Sequence, residues 1–208
     1  DRVSITGPSM GGTGTASIAF RYADQFSSAA PLCGYHSWGL RGDFAGKKRP
    51  WETQLGDERS TVSWAPNGLH MPLYIVHGTR DLPVENSGVL IDRYKSLGYA
   101  LLEEHPDEGH NVWQPTYEGL KGYGWLTAHK RPAHPSRVVL RTDNLRYDRH
   151  AWVRILELAR STSWGEVTAT VAKRAKTPRI TVKTSGVAAL HLDRDEKLLD
   201  ASSPVTLD

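Results

Sequence analysis

The 208-residue sequence predicts an α/β fold, a doubly wound and mostly parallel sheet, followed by a small all-β, sandwich-like domain. Three observations predict it. Strand-length apolar runs alternate with helical patterns as far as Leu126, the texture of a parallel sheet covered on both faces. Beyond residue 136 the apolar period becomes two, and no helical pattern is left. Seven Trp, eight Tyr and three Phe supply enough apolar bulk to exclude a disordered chain. The predicted organisation is an α/β domain over 1–126, a linker over 127–136 and a truncated β domain over 137–208.

Each element has a local reason. Arg2–Thr6 alternates and ends at Gly7, a short strand entering a turn. Thr13–Tyr22 carries Ile18, Ala19 and Tyr22 at helical spacing. Phe26–Cys33 is a compact apolar run of strand length. Between residues 34 and 71 periodicity is lost, which predicts an irregular, lid-like insertion of the kind that usually has a function. Pro72–His77 reads as a buried strand bounded by Gly78. Glu85–Leu97 is an amphipathic helix stopped by Gly98. Tyr99–His105 is a further strand, and Val112–Leu126 a helix. The predicted linker holds two prolines and several basic residues. Strands are then expected at Arg137–Thr142, Ala151–Leu158, Glu166–Lys173, Arg179–Thr184 and Val187–Asp193. In one of them Val167, Ala169 and Val171 share a face, with Thr168 and Thr170 opposite.

Charge narrows the function classes. The chain has 26 Lys and Arg against 23 Asp and Glu, a net +3. The basic residues are scattered apart from short clusters at 47–49 and 173–176, which argues against a nucleic-acid partner. No run reaches the roughly 18 apolar residues of a membrane span. A single cysteine, Cys33, excludes an internal disulfide and any multi-cysteine metal site, and is expected to be an inert core residue. The chain starts at Asp1 without Met and stops in what reads as an opening strand, so a piece of a longer protein is expected.

Gly7-Pro8-Ser9-Met10-Gly11 is a G-x-S-x-G motif between a predicted strand and a predicted helix. A strand turning sharply into a helix there would project Ser9 Oγ from the carboxyl edge of the sheet. Gly7 and Gly11 supply the missing side chains that such a turn needs, and Gly12 lets the helix approach the strand. A serine hydroxyl is a weak nucleophile without a base and a group that orients the base. In this kind of sheet the partners follow in the order Ser, acid, His, each after a later strand. His77-Gly78-Thr79-Arg80-Asp81 closes one later strand and Glu108-Gly109-His110 the next. Ser9, Asp81 and His110 are therefore expected to meet at one edge.

These motifs resemble the catalytic half of the α/β-hydrolase superfamily, and within it most closely the prolyl oligopeptidase family and its esterase relatives. The resemblance covers about residues 1–126. It implies the C-terminal half of the hydrolase sheet, with Ser9 as nucleophile, His110 as general base and acid, and Asp81 as orienting acid. It also implies an oxyanion donor at the Met10 backbone N–H, with a second donor upstream of this chain. Pro8 removes an N–H that the oxyanion hole does not use. The implied activity is acyl-enzyme hydrolysis of peptide bonds, without cofactor or metal. The alternative is a carboxylesterase or polyester depolymerase using the same triad. A third reading is a non-catalytic binding module with a vestigial triad.

Blander roles stand beside these. Ser9 could be a turn serine capping a helix. Glu85, Asp107 and Glu108 compete with Asp81, and His77 competes with His110 but reads as buried and structural. Trp38, Trp51 and Trp64 form either an aromatic substrate wall or a small satellite core. Trp113 either lines the leaving-group side or packs on its helix. His129, His134, His150 and His191 are expected in solvent.

Overall fold

In the computed structural model the chain is described over residues 2–40, 49–81, 83–160, 163–172, 179–199 and 206–207. It divides into two units, Asp1–Arg131 and Pro132–Asp208. The first unit runs β1 (Ser4–Pro8), α1 (Met10–Arg21), β2 (Ser28–Leu32), α2 (Pro50–Arg59), α3 (Thr61–Trp64) and β3 (Leu73–Val76). It continues through α4 (Glu85–Leu97), β4 (Leu101–Glu104), α5 (Trp113–Tyr117) and α6 (Lys121–Ala128). The four strands pair in parallel in the order β1-β2-β3-β4. All four carboxyl ends therefore lie along one edge.

The burial pattern follows from that order. Every residue of the two central strands, β2 and β3, is buried, whereas β1 and β4 are only half-buried. The run Leu73-Tyr74-Ile75 has no exposed surface. Full burial of an apolar side chain contributes about 1.5–3 kcal/mol. Helix α4 has the predicted bounds, and Gly98 closes it in the left-handed conformation, at φ 69. Helix α1 approaches β2 so closely that a Cβ on Gly12 would lie 3.1 Å from the Gly34 Cα.

Three expectations fail in this unit. The 34–71 insertion is not structureless, because α2 and α3 lie in it. No residue of α2 is buried, so it carries no apolar period to read. It starts with Pro50 at the first helical position and Glu52 accepting from the Arg49 backbone N–H at 2.8 Å. The predicted helix over Val112–Leu126 is broken into α5 and α6, because Gly119 and Leu120 both stand at φ 62. Helix α6 extends to Ala128, two residues into the predicted linker.

Among its described residues the second unit is all-β apart from single turns. Its strands are β5 (Arg137–Thr142), β6 (Arg149–His150), β7 (Val153–Leu158), β8 (Gly165–Ala172), β9 (Arg179–Ser185), β10 (Val187–Leu192) and β11 (Thr206–Leu207). They form one sheet in the order β10-β7-β6 and another in the order β11-β9-β8-β5. All pairs are antiparallel except β11 with β9. The core draws Val153 and Ile155 from the first sheet and Val138, Leu140, Val167 and Ala169 from the second, so the two inner faces share one interior, as in a sandwich. Val167, Ala169 and Val171 point inward, as read. Thr168 and Thr170 line an outer groove with Thr181, Arg137 and Lys183. His150 is not in solvent: it is buried, with Nδ1 2.8 Å from the Val139 carbonyl oxygen. The basic cluster at 173–176 and residues 47–48 of the other cluster lie outside the described residues.

Candidate active site

Ser9 sits between β1 and α1 at φ 57, ψ −122. A serine adopts positive φ only at a cost of order 1–3 kcal/mol, so surrounding structure must hold it there. The Ser9 N–H donates to the Leu32 carbonyl at 2.9 Å, and the Thr13 N–H donates to the Ser9 carbonyl at 3.1 Å. These bonds tie the turn to β2 on one side and to α1 on the other. A Cβ on Gly7 would lie 2.9 Å from the Gly11 carbonyl, whereas one on Gly11 would make only ordinary contact with Pro8, at 3.5 Å. Space therefore demands the glycine at 7 and not at 11. The Ser9 side chain makes no cap hydrogen bond, so the helix-capping role is not the one it plays. Met10, 87% exposed, opens α1, and its N–H belongs to the first turn, where no intrahelical acceptor exists.

Asp81 and His110 leave the same edge from the loops after β3 and β4. The loops are laced together by the Thr79 N–H donating to the Pro106 carbonyl and the Arg80 N–H to the Glu108 carbonyl, both at 2.9 Å. Gly78 makes the lacing possible, since a Cβ there would collide with the Glu108 and Gly109 carbonyls. His110 Nδ1 then lies 2.8 Å from Asp81 Oδ2. Opposite a carboxylate Nδ1 carries the proton, which leaves Nε2 as the basic nitrogen. The His110 side chain is 50% exposed and that of Asp81 16%. The basic face thus reaches solvent while the acid is sheltered.

His77 is buried, as read, and braces the acid. Its Nε2 lies 3.0 Å from the Asp81 carbonyl oxygen and 3.3 Å from Oδ2, and its Nδ1 lies 2.7 Å from Ser87 Oγ. Two acceptors at Nε2 place the proton there, and the single hydrogen of the Ser87 hydroxyl serves Nδ1 and the Gly34 carbonyl, 3.2 Å away. Glu85 lies in α4, and Asp107 and Glu108 pair with Arg80 on the surface. Among the described residues no hydrogen bond joins Ser9 Oγ to His110. The His110 loop also meets the end of β2, where the Cys33 thiol donates to the His110 carbonyl at 3.4 Å. Sequence reasoning missed this neighbour, since the end of a buried strand carries no sign of which loop will cover it.

The tryptophans divide. Trp113 meets the His110 ring edge-on, with centroids 5.9 Å apart. Trp38 packs on the Tyr35 ring and beneath the Arg59 guanidinium. Trp64 has no exposed surface and donates through Nε1 to the Glu58 carbonyl at 3.0 Å, so it is core and not part of a substrate wall. Trp51 is 54% exposed, beneath Arg49.

No protein-family model matches the chain, and no curated protein does. Solved structures do resemble it. A thermostable esterase is 27% identical over 63% of this chain and 32% of its own, with a TM-score of 0.44. A fluorophosphonate-binding serine hydrolase of Staphylococcus aureus is 19% identical over 60% of this chain and 53% of its own, with a TM-score of 0.47. A Bacteroides ovatus structure assigned as a dipeptidyl aminopeptidase IV is 18% identical over 62% of this chain and 19% of its own, with a TM-score of 0.51. The chain thus spans less than two thirds of the length of each. With the parallel sheet, the strained turn before α1 and the loops after β3 and β4, the last likeness shows the fold of residues in the first unit: part of an α/β-hydrolase sheet, which an all-β unit follows in the sequence.

Proposed function

We propose that the chain carries the nucleophile and both partners of a serine hydrolase that works through an acyl-enzyme, with peptide bonds as substrate. The observation that carries this reading is the His110 Nδ1–Asp81 Oδ2 hydrogen bond of 2.8 Å, built at the sheet edge where Ser9 is held at positive φ. Ser9 Oγ attacks the substrate carbonyl while His110 Nε2 takes its proton. Asp81 keeps the imidazole in the required tautomer and stabilises the cation that forms. The Met10 N–H faces the oxyanion of the tetrahedral intermediate. His110 then gives the proton to the leaving amine, and water activated by the same nitrogen releases the acyl group. Trp113, edge-on to the imidazole, flanks the leaving-group side.

The test is covalent labelling of the full-length polypeptide with a fluorophosphonate probe. We expect labelling that Ser9→Ala abolishes, and proline-containing peptides cleaved in preference to p-nitrophenyl esters. A folded protein whose labelling survives Ser9→Ala, or that takes no label, overturns the reading. Preference for esters keeps the triad and changes the substrate.

A further inference from the structure

Cys33 lies at the point where the proposed triad converges, although acyl transfer gives it nothing to do. Its backbone is strained, at φ 40, and its residue surface is 6% exposed. Its sulfur, a carboxylate oxygen of Asp81 and a ring nitrogen of His110 all lie within 4.8 Å of one another. Three different ligand types, carried on the end of β2 and on the loops after β3 and β4, therefore surround one small volume. The half-exposed imidazole forms its open side.

We propose that Cys33, Asp81 and His110 form a binding site for a zinc-like divalent ion, and that occupation of this site shuts down the hydrolase. The binding claim stands on the cluster alone, whereas the inhibition claim rests on the triad reading. In a tetrahedral zinc site, bonds of about 2.0–2.3 Å put the ligand atoms roughly 3.3–3.7 Å apart, so this cluster closes with shifts of about 1 Å. An imidazole half in solvent can move that far. Three protein ligands leave the fourth position for water. As the metal–sulfur bond forms, the thiol proton leaves to solvent, the His110–Asp81 hydrogen bond opens so that Asp81 binds as the carboxylate, and His110 gives the lone pair of one ring nitrogen while its ring proton sits on the other; nothing is oxidised or reduced. A thiol binds the metal as thiolate, so the metal must displace a proton and binding strengthens as pH rises. A sulfur ligand also selects zinc or cadmium over magnesium or calcium. With its lone pair on the metal, His110 can no longer accept the Ser9 proton.

The experiment titrates the full-length polypeptide with zinc chloride by calorimetry and with cadmium chloride by ultraviolet absorption, alongside Cys33→Ala and Cys33→Ser. We expect one zinc per chain, release of one proton, a cadmium–thiolate charge-transfer band and no heat from magnesium. Either variant should lose the band and weaken zinc binding about tenfold or more, the scale on which altered metal sites usually respond. The zinc concentration that halves the fluorophosphonate labelling rate should rise by the same factor. Wild-type zinc affinity in a folded Cys33 variant, or no cadmium band in the native protein, overturns the proposal. Should the Cys33 variants not fold, His110→Gln takes their place, and unchanged zinc affinity there overturns it equally. A protein that shows the band and the proton release but never labels retains the metal site and loses the triad.

Discussion

Asp81 faces two imidazoles, His110 Nδ1 at 2.8 Å and His77 Nε2 at 3.3 Å, both on Oδ2. Its replacement by asparagine should preserve the packing but turn an amide N–H2 toward one of those nitrogens. If His110 Nδ1 becomes the acceptor, its proton moves to Nε2 and the base is lost. We expect the labelling rate of Asp81→Asn to fall by on the order of 10³–10⁴; a fall of less than tenfold removes Asp81 from the mechanism. His36 gives a different test. Both its ring nitrogens are buried without a hydrogen-bond partner among the described residues. Burial, and secondarily the nearby His77, lower its pKa to about 3 from the ordinary 6.5. Between those values the unfolded chain holds a proton that the folded chain does not. Stability is therefore full above about 6.5 and is lost as pH falls toward 3, at roughly 1 kcal/mol per pH unit. Urea midpoints at pH 7 and pH 5 should show this slope, and His36→Leu should flatten it. At this scale the sequence was partly legible. The sharp turn at Ser9 and the meeting of Asp81 with His110 could be read, because a motif announces the one and the order of the loops the other. The unpartnered burial of His36 and the contacts of Cys33 could not, because both arise where distant segments pack.

Among the elements, the short loops after β3 and β4 do the positioning. They touch through Gly78, where no side chain fits. We expect Gly78→Val to force the loops apart, costing about 1–3 kcal/mol in urea unfolding as other overpacked sites do. It should also slow labelling in a protein that still folds. Unchanged labelling would mean that the His110 loop is held by something other than this contact. Elements with an apolar face were legible at this scale, and α4 is the clearest of them. Helix α2 was not, because a helix with no buried residue has no stripe to betray it. The break between α5 and α6 was hidden for another reason: Leu120 at positive φ is a tertiary choice that no propensity favours.

For the whole molecule, the change of apolar period near residue 136 announced two units, and each has its own interior. Ala30, Leu32, Tyr74 and Val76 belong to one buried cluster, and Val153, Ile155, Val167 and Ala169 to another. Sequence could place that change because period depends on local backbone geometry alone. The opening strand read at the end of the chain is there too, as β11, where Thr206 and Leu207 pair with β9. Separate interiors imply separate responses to a cavity. Ile155 has no exposed surface, so Ile155→Ala should cost about 2–5 kcal/mol in the unit that holds it. Native-state hydrogen exchange can resolve where that cost falls. The amides of β7 and β8 should lose protection by the full amount, while those of β2 and β3 keep theirs. Fluorophosphonate labelling of Ser9 should continue at the native rate. Loss of protection in β2 and β3 by the same amount would show instead that the two interiors unfold as one, and that the β unit supports the site it follows.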